Sequence, residues 1–183
     1  MRRFFLIVIV LSIVGCGGDV IPKPKAYLSL QYPTKEYKEI TVDRPYSFEV
    51  PTTVKVQEQP KNWLKIKYPL LKASVDITYR PVQNNLKELL LEADKLVFEH
   101  TIKADNIVCL DYSNEEKKAY GKLCEILGNA ASQVQFHVTD STKHFLKASL
   151  FFYTKPNYDS ILPAVDYIKK DMIRMMETLE WKE

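Results

Sequence analysis

Beyond a short apolar run at its start, this chain alternates between stretches of period two and stretches of period 3.6. Residues 46–50, 63–68 and 73–79 alternate large apolar with polar side chains, and Pro45, Pro51, Pro69 and Pro81 punctuate them. The period then changes. Leu86, Leu89, Leu90, Ala93, Leu96, Val97 and His100 recur at spacings of three and four, which predicts a helix. Asn85, with Glu88 three residues on, supplies a start signal close to a capping box. Period two returns at 106–112, 119–127, 133–139 and 145–153, and the short turns between them make these strands antiparallel. A closing helix over about 160–179 carries the stripe Ile161, Leu162, Val165, Ile168, Met172, Met175, Met176 and Leu179. Pro163 is tolerated there in the first turn, where its missing N–H costs no hydrogen bond.

An order of strands, helix, strands, helix predicts an α+β fold, an antiparallel β-sheet packed with two main amphipathic helices. It resembles the Mog1/PsbP-like arrangement, which shares an early Phe-Glu-Val-Pro-like strand and a closing amphipathic helix. Fold alone carries no function.

The apolar run at the start changes the picture most. Met1-Arg2-Arg3, then uncharged and mostly apolar residues from Phe4 to Val14, then Gly15-Cys16 read as a secretory signal peptide. The run is too short for a spanning helix, which needs roughly 18 apolar residues. Ile13-Val14-Gly15-Cys16 fits a bacterial lipobox, so the Cys16 thiol is expected to take a diacylglyceryl group and become the new first residue. Several acyl chains hold firmly where one holds marginally. The expected organisation is a leader over 1–15, a lipidated tether over 16–26 and a single domain over 27–183. No acidic tract follows Cys16, which favours the periplasmic side of the inner or outer membrane.

Formal net charge is +3, and it falls to about +1 once Arg2 and Arg3 leave with the signal. No charge argument for nucleic acid survives. Lys61, Lys65, Lys67 and Lys72 interleave with Trp63 and Tyr68, and a solvated strand face with lysines guarding an edge accounts for them. Cys109 and Cys124 stay in a compartment that permits disulfides. They flank a hairpin. A turn centred near Glu116 and Lys117 sets the thiols face to face, and a one-residue slip leaves two buried free thiols, so both states stay open.

Motifs for chemistry are absent: no Gly-rich phosphate loop, no Gly-x-Ser-x-Gly, no His-Glu-x-x-His and no Cys-x-x-Cys. No cofactor, metal or catalytic residue is expected. His137 and His144 face each other if their hairpin turns around Asp140 and Ser141, with Asp140 or Asp159 to complete a metal site. Zinc needs three or four ligands, and a polar strand face beside Gln133 and Gln135 is the simpler reading. Gly128-Asn129-Ala130-Ala131-Ser132 is a run of small residues between strands, suited either to close approach by another backbone or to a bulge.

That run, with Val134-Gln135-Phe136, Thr139-Asp140-Ser141-Thr142-Lys143-His144-Phe145 and Lys155-Pro156-Asn157-Tyr158-Asp159-Ser160, resembles the gliding motility lipoprotein GldD family of the Bacteroidetes. Pro22-Lys23-Pro24-Lys25-Ala26-Tyr27, Pro45-Tyr46-Ser47-Phe48-Glu49-Val50-Pro51 and His100-Thr101-Ile102-Lys103-Ala104-Asp105 support the resemblance, which runs from the lipobox to Trp181. Cys109 and Cys124 are not part of that pattern. The resemblance implies a non-enzymatic component needed for gliding, acting with other gliding lipoproteins and the type IX secretion machinery. Candidate partner-binding residues are Gly128, Asn129, Ser132, Gln135, Asp140, Ser141, Thr142, His144, Asn157, Tyr158 and Asp159, which the hairpin is expected to gather near one end of the sheet. An envelope hydrolase using Asp140, Ser141 or His144, or a carrier of an apolar ligand, are the alternatives.

Overall fold

The computed structural model describes residues 32, 34–40, 42–154 and 157–182. Cys16, the leader and the tether lie outside these. A seven-stranded antiparallel sheet has the order β4-β5-β6-β10-β9-β8-β7. Its strands are β4 (Lys55–Gln59), β5 (Trp63–Tyr68), β6 (Ala73–Pro81), β7 (Ala104–Asn114), β8 (Ala119–Gly128), β9 (Val134–Thr139) and β10 (His144–Phe152). Two small ribbons flank it: β1 (Tyr37–Glu39) pairs with β3 (Glu49–Pro51), and β2 (Tyr46–Ser47) with β11 (Glu180–Trp181). Helix α1 (Leu86–Phe98) lies on one face and α2 (Tyr158–Glu177) on the other. No described helix is long and apolar enough to cross a membrane.

Alternation sorts the strand residues. In β5, Leu64, Ile66 and Tyr68 enter the core under α2, while Trp63, Lys65 and Lys67 turn to the other face. Every residue of β9 is buried, because both helices cover the sheet there. The α2 stripe of Ile161, Val165, Ile168, Met172, Met175 and Met176 joins Leu146, Ala148 and Leu150 of β10 in the main core.

Several expectations change in detail. The strand expected over 46–50 is two strands, because the chain switches partner at Phe48, whose carbonyl accepts from Ile40 N–H at 3.1 Å. Strand β4 is polar and on the edge, so it has no alternation to read. It also takes the edge from β5. Lys65 therefore pairs with Asp76 on β6 at 3.0 Å and guards nothing. Only Leu89, Ala93 and Val97 of the α1 stripe are fully buried, and His100 lies beyond the helix in a 3-10 turn. Asn85 does not cap α1, because its Oδ1 accepts from Gln83 N–H at 2.8 Å. Helix α2 starts two residues early, at Tyr158, so Pro163 sits beyond the first turn. The cause is a cap from elsewhere: Asn129 Oδ1 accepts from Tyr158 N–H at 2.9 Å.

The β7–β8 turn is centred between Glu116 and Lys117, which sets Cys109 opposite Cys124, and the two form a disulfide. The bridge spans a sequence separation of 15, for which loss of chain entropy stabilises the fold by about 3 kcal/mol. A Cys109→Ser/Cys124→Ser variant is expected to lose about that much in urea unfolding. Reductant should shift the wild-type midpoint and leave the variant's unchanged.

Tyr32 and residues 34–39 run against α2 as a strap. Tyr32 stacks on Tyr167 at 4.3 Å. Lys35 Nζ donates to Asp171 Oδ1 at 2.6 Å and to the Tyr167 carbonyl at 2.5 Å, and sits 3.6 Å over the Tyr167 ring. Tyr37 donates its hydroxyl to the same Asp171 oxygen at 2.7 Å. Asp171 is fully buried, and among the described residues its Oδ2 and the nearby Tyr68 hydroxyl have no well-formed hydrogen bond. Burial first, and then the Asp171 charge, push the Tyr68 phenol well above its ordinary pKa.

Candidate functional site

The candidate residues separate into two groups at opposite ends of β9. The loop over 128–133 enters this strand and the turn over 140–143 leaves it, so roughly 17 Å of extended chain lies between them. Grouping them at one end of the sheet fails for that reason: a connection before a strand and one after it cannot share an end.

At the first end, Gly128 has φ +109°, and a Cβ there would come within 2.8 Å of Asp105 N and 3.1 Å of Lys103 O. The small residue is needed by the chain's own β7, which approaches closely. Asn129 brings Asn157, Tyr158 and Asp159 to this end by capping α2. Ser132 is fully buried, its hydroxyl donating to the Val134 carbonyl at 3.3 Å. Gln135 is buried beneath α1 near Ala93 and Cys124. Neither Ser132 nor Gln135 can meet a partner, because the fold itself covers them.

At the second end, Asp140 organises the hairpin. Its Oδ1 accepts from the backbone N–H groups of Thr142, Lys143 and His144 at 3.0, 2.8 and 2.7 Å, and its Oδ2 from the Thr142 hydroxyl at 2.8 Å. Burial works against the ionised form, yet these donors together hold the Asp140 pKa below the ordinary carboxylate value. The turn is wider than a two-residue one, with Ser141 at φ 67°. That width shifts the register and sets His137 opposite Lys147. The two histidines land on opposite faces: His137 stacks on Phe145 at 5.7 Å, His144 on Trp181 at 5.1 Å. Asp159 is at the far end, and no cluster of three metal-ligating side chains occurs among the described residues.

His144 Nδ1 is hydrogen-bonded to the Tyr79 hydroxyl at 2.8 Å, and burial lowers its pKa against the pull of Asp140. Trp181 donates its indole N–H to the Lys118 carbonyl at 3.1 Å. This Tyr79–His144–Trp181 ladder divides two open grooves. One of about 1140 Å³ is walled by Arg44, Lys61, Trp63, Tyr79 and Arg80. The other, about 560 Å³, is walled by Lys117, Asp140, Lys143, His144 and Trp181, and Lys182 lines both. Most of the cations already have carboxylates: Arg44 with Glu58 at 2.7 Å, Arg80 with Glu92 at 3.2 Å, Lys117 with Glu180 at 3.5 Å and Lys182 with Glu39 at 3.6 Å. Lys61 and Asn62 have φ of 62° and 61°, and the Tyr46 hydroxyl holds their turn by donating to the Asn62 carbonyl at 2.6 Å. The grooves thus combine paired charges with the half-buried rings of Trp63, His144 and Trp181. The sequence pattern assigned Lys61 to a solvated strand face and gave no sign of Arg44, Asn62, Tyr79 or Lys182. Pro60-Lys61-Asn62 between two strands was the one turn signal available.

Space beneath α1 is small. It is about 10 Å³ beside Ala93, Val97 and Cys124, and about 230 Å³ beside Leu89 and Phe145, below the roughly 300–1,000 Å³ of ligand sites.

An antiparallel sheet sandwiched by two helices defines a PsbP-like α+β domain. The solution structure of cyanobacterial PsbP (CyanoP) from Synechocystis superposes with a TM-score of 0.51 at 8% identity, over 92% of this chain and 98% of that one. That likeness extends to the fold alone. The family of gliding motility lipoprotein GldD matches residues 17–181, and the chain belongs to that family. No curated protein matches the chain.

Proposed function

We propose that this gliding motility lipoprotein is held by a lipidated Cys16 at the periplasmic side of the cell envelope. It performs no chemistry of its own there and acts with other gliding lipoproteins or type IX secretion components. The observation that carries the reading is the family match over 17–181, which begins directly after Gly15-Cys16. The hairpin end supports a docking role. Asp140 already accepts four hydrogen bonds and His144 Nδ1 is engaged by Tyr79, so both are committed to the structure of the turn. The docking face is the Asp140–His144 turn with Trp181 and the two grooves.

Deletion in the native host tests this, with complementation by wild type and by Cys16→Ala. Surface spreading and release of type IX cargo should both be lost, and restored by wild type but not by the unlipidated form. Normal spreading and secretion in the deletion strain would refute the motility role.

A further inference from the structure

We propose that the end of the sheet opposite the Asp140–His144 turn sits on a lipid surface, with Leu70, Phe98, Ile102 and Tyr153 dipping into it. That surface is the leaflet holding the lipidated Cys16, so the inference rests on the proposed function. The two ends of the sheet differ in what their connections expose. At the Trp181 end the tips are 60–62, 82–85, 115–118 and 140–143, and none has an exposed large apolar side chain. At the other end Leu70 is 87% exposed in the turn Pro69–Leu71 and Ile102 is 91% exposed after α1. Phe98 and Tyr153 are each more than half exposed there. Tips facing water are ordinarily polar. The other exposed large apolar residues, Leu91, Val108 and Leu110, lie on the flanks.

Strand pairing brings these residues together from separate stretches of chain. β5 and β6 meet at Tyr68 and Ala73, so Leu70 lies beyond that end. β10 finishes there too, with Phe152 opposite Ala73, and Tyr153 N–H donates to the Lys72 carbonyl at 2.8 Å. α1 leaves β6 at the Trp181 end and runs back, so Phe98 and Ile102 emerge where β7 begins. Leu70 with Tyr153 makes one foot, and Phe98 with Ile102 the other. β10, β9 and β8 lie between β6 and β7, which sets the feet roughly 20 Å apart. Lys72 follows the first foot and Lys103 the second. An ammonium on a long apolar stem at such a boundary reaches lipid phosphates.

The direction of the strap identifies what these feet meet. Tyr32 stacks on Tyr167, Lys35 reaches Asp171, and Arg174 lies 5.6 Å over the Tyr37 ring, so strap and α2 run the same way. α2 begins at the apolar end, where Asn129 caps it. Followed backwards, the strap therefore heads toward the apolar end. Residues 17–31 separate Tyr32 from Cys16 and can span up to about 50 Å. An anchor that leads off toward this end and apolar tips exposed at this end put one lipid surface under both. Buried apolar side chains add to the hold of the acyl chains, and a tyrosine ring suits the headgroup level. The nine residues of β10 then hold the His144–Trp181 end about 30 Å above the lipid, facing its partners.

The test uses full-length lipoprotein purified from its membrane and reconstituted in vesicles of phosphatidylethanolamine and phosphatidylglycerol. Brominated acyl chains in the same lipids quench tryptophan on contact. The native Trp63 and Trp181 sit at the far end and should be unquenched. Ile102→Trp and Leu70→Trp should each add emission that brominated chains quench at least twofold. Leu91→Trp, exposed on the flank of α1, should add emission that they do not quench. All three sites face solvent, so thermal unfolding should stay unchanged. Protein that floats with the vesicles while position 70 or 102 is unquenched overturns the inference and leaves the anchor standing. Quenching at 91 as strong as at 102, or quenching of Trp181, does the same. Protein that does not float overturns the anchor and this inference together.

Discussion

Lys35→Ala is expected to destabilise the domain by about 3–5 kcal/mol, far more than a surface ion pair. Lys35 is only 13% exposed and Asp171 is fully buried. Removing the ammonium leaves a carboxylate in the core with one phenol donor, Tyr37, and an Oδ2 that lacks a partner among the described residues. The cost is the desolvation of an uncompensated charge. Adding Asp171→Asn should therefore recover most of the loss, since the amide oxygen still accepts from Tyr37 and no charge remains. Denaturant midpoints of wild type, the single variant and the double variant read this directly. A single variant within about 1 kcal/mol of wild type would mean that the strap is not anchored through Asp171. The consequence for function is mechanical. The strap is the described segment nearest Cys16, and Lys35 ties it to α2 across 136 residues of sequence.

Gly121→Ala should cost about 3 kcal/mol or more, at the upper end of overpacking. Gly121 sits in β8 opposite Val138 of β9. A Cβ there would lie 1.9 Å from the His137 carbonyl oxygen and 3.0 Å from Val138 Cα. Backbone on a neighbouring strand cannot swing aside as a side chain can, so β8 and β9 must part within the sheet. The sign makes the test sharp. Where a strand has room, Gly→Ala stabilises by about 0.4–1 kcal/mol through the unfolded chain. A gain in stability would mean that the two strands do not approach this closely. Faster amide exchange confined to β8 and β9 is the accompanying signature.

How much of this was legible depended on how local each cause is. Strand β5 was readable to its ends because Leu64, Ile66 and Tyr68 face one core and lysines face away. Strand β4 was not, since an edge strand needs no apolar face of its own. The α2 stripe was plain, yet its start was set by Asn129, 29 residues earlier. Asp171 carried a signal that went unused. It lies three residues after Ile168 and four before Met175, on the buried stripe. Its partner Lys35 could not be inferred from pattern.

By itself the sequence determined the α+β class and the family, and it set the expectation of a leader with a lipidated Cys16. These rest on contiguous strings and on periods of two or 3.6, which a chain displays without folding. Tertiary structure decided the rest. Turn width at Asp140 fixed the strand register, and with it the separation of the two histidines onto opposite faces. Loops distant in sequence assembled the grooves beside Trp181. Pairing order put β7 last in the seven-stranded sheet, because which strand ends a sheet depends on all the others.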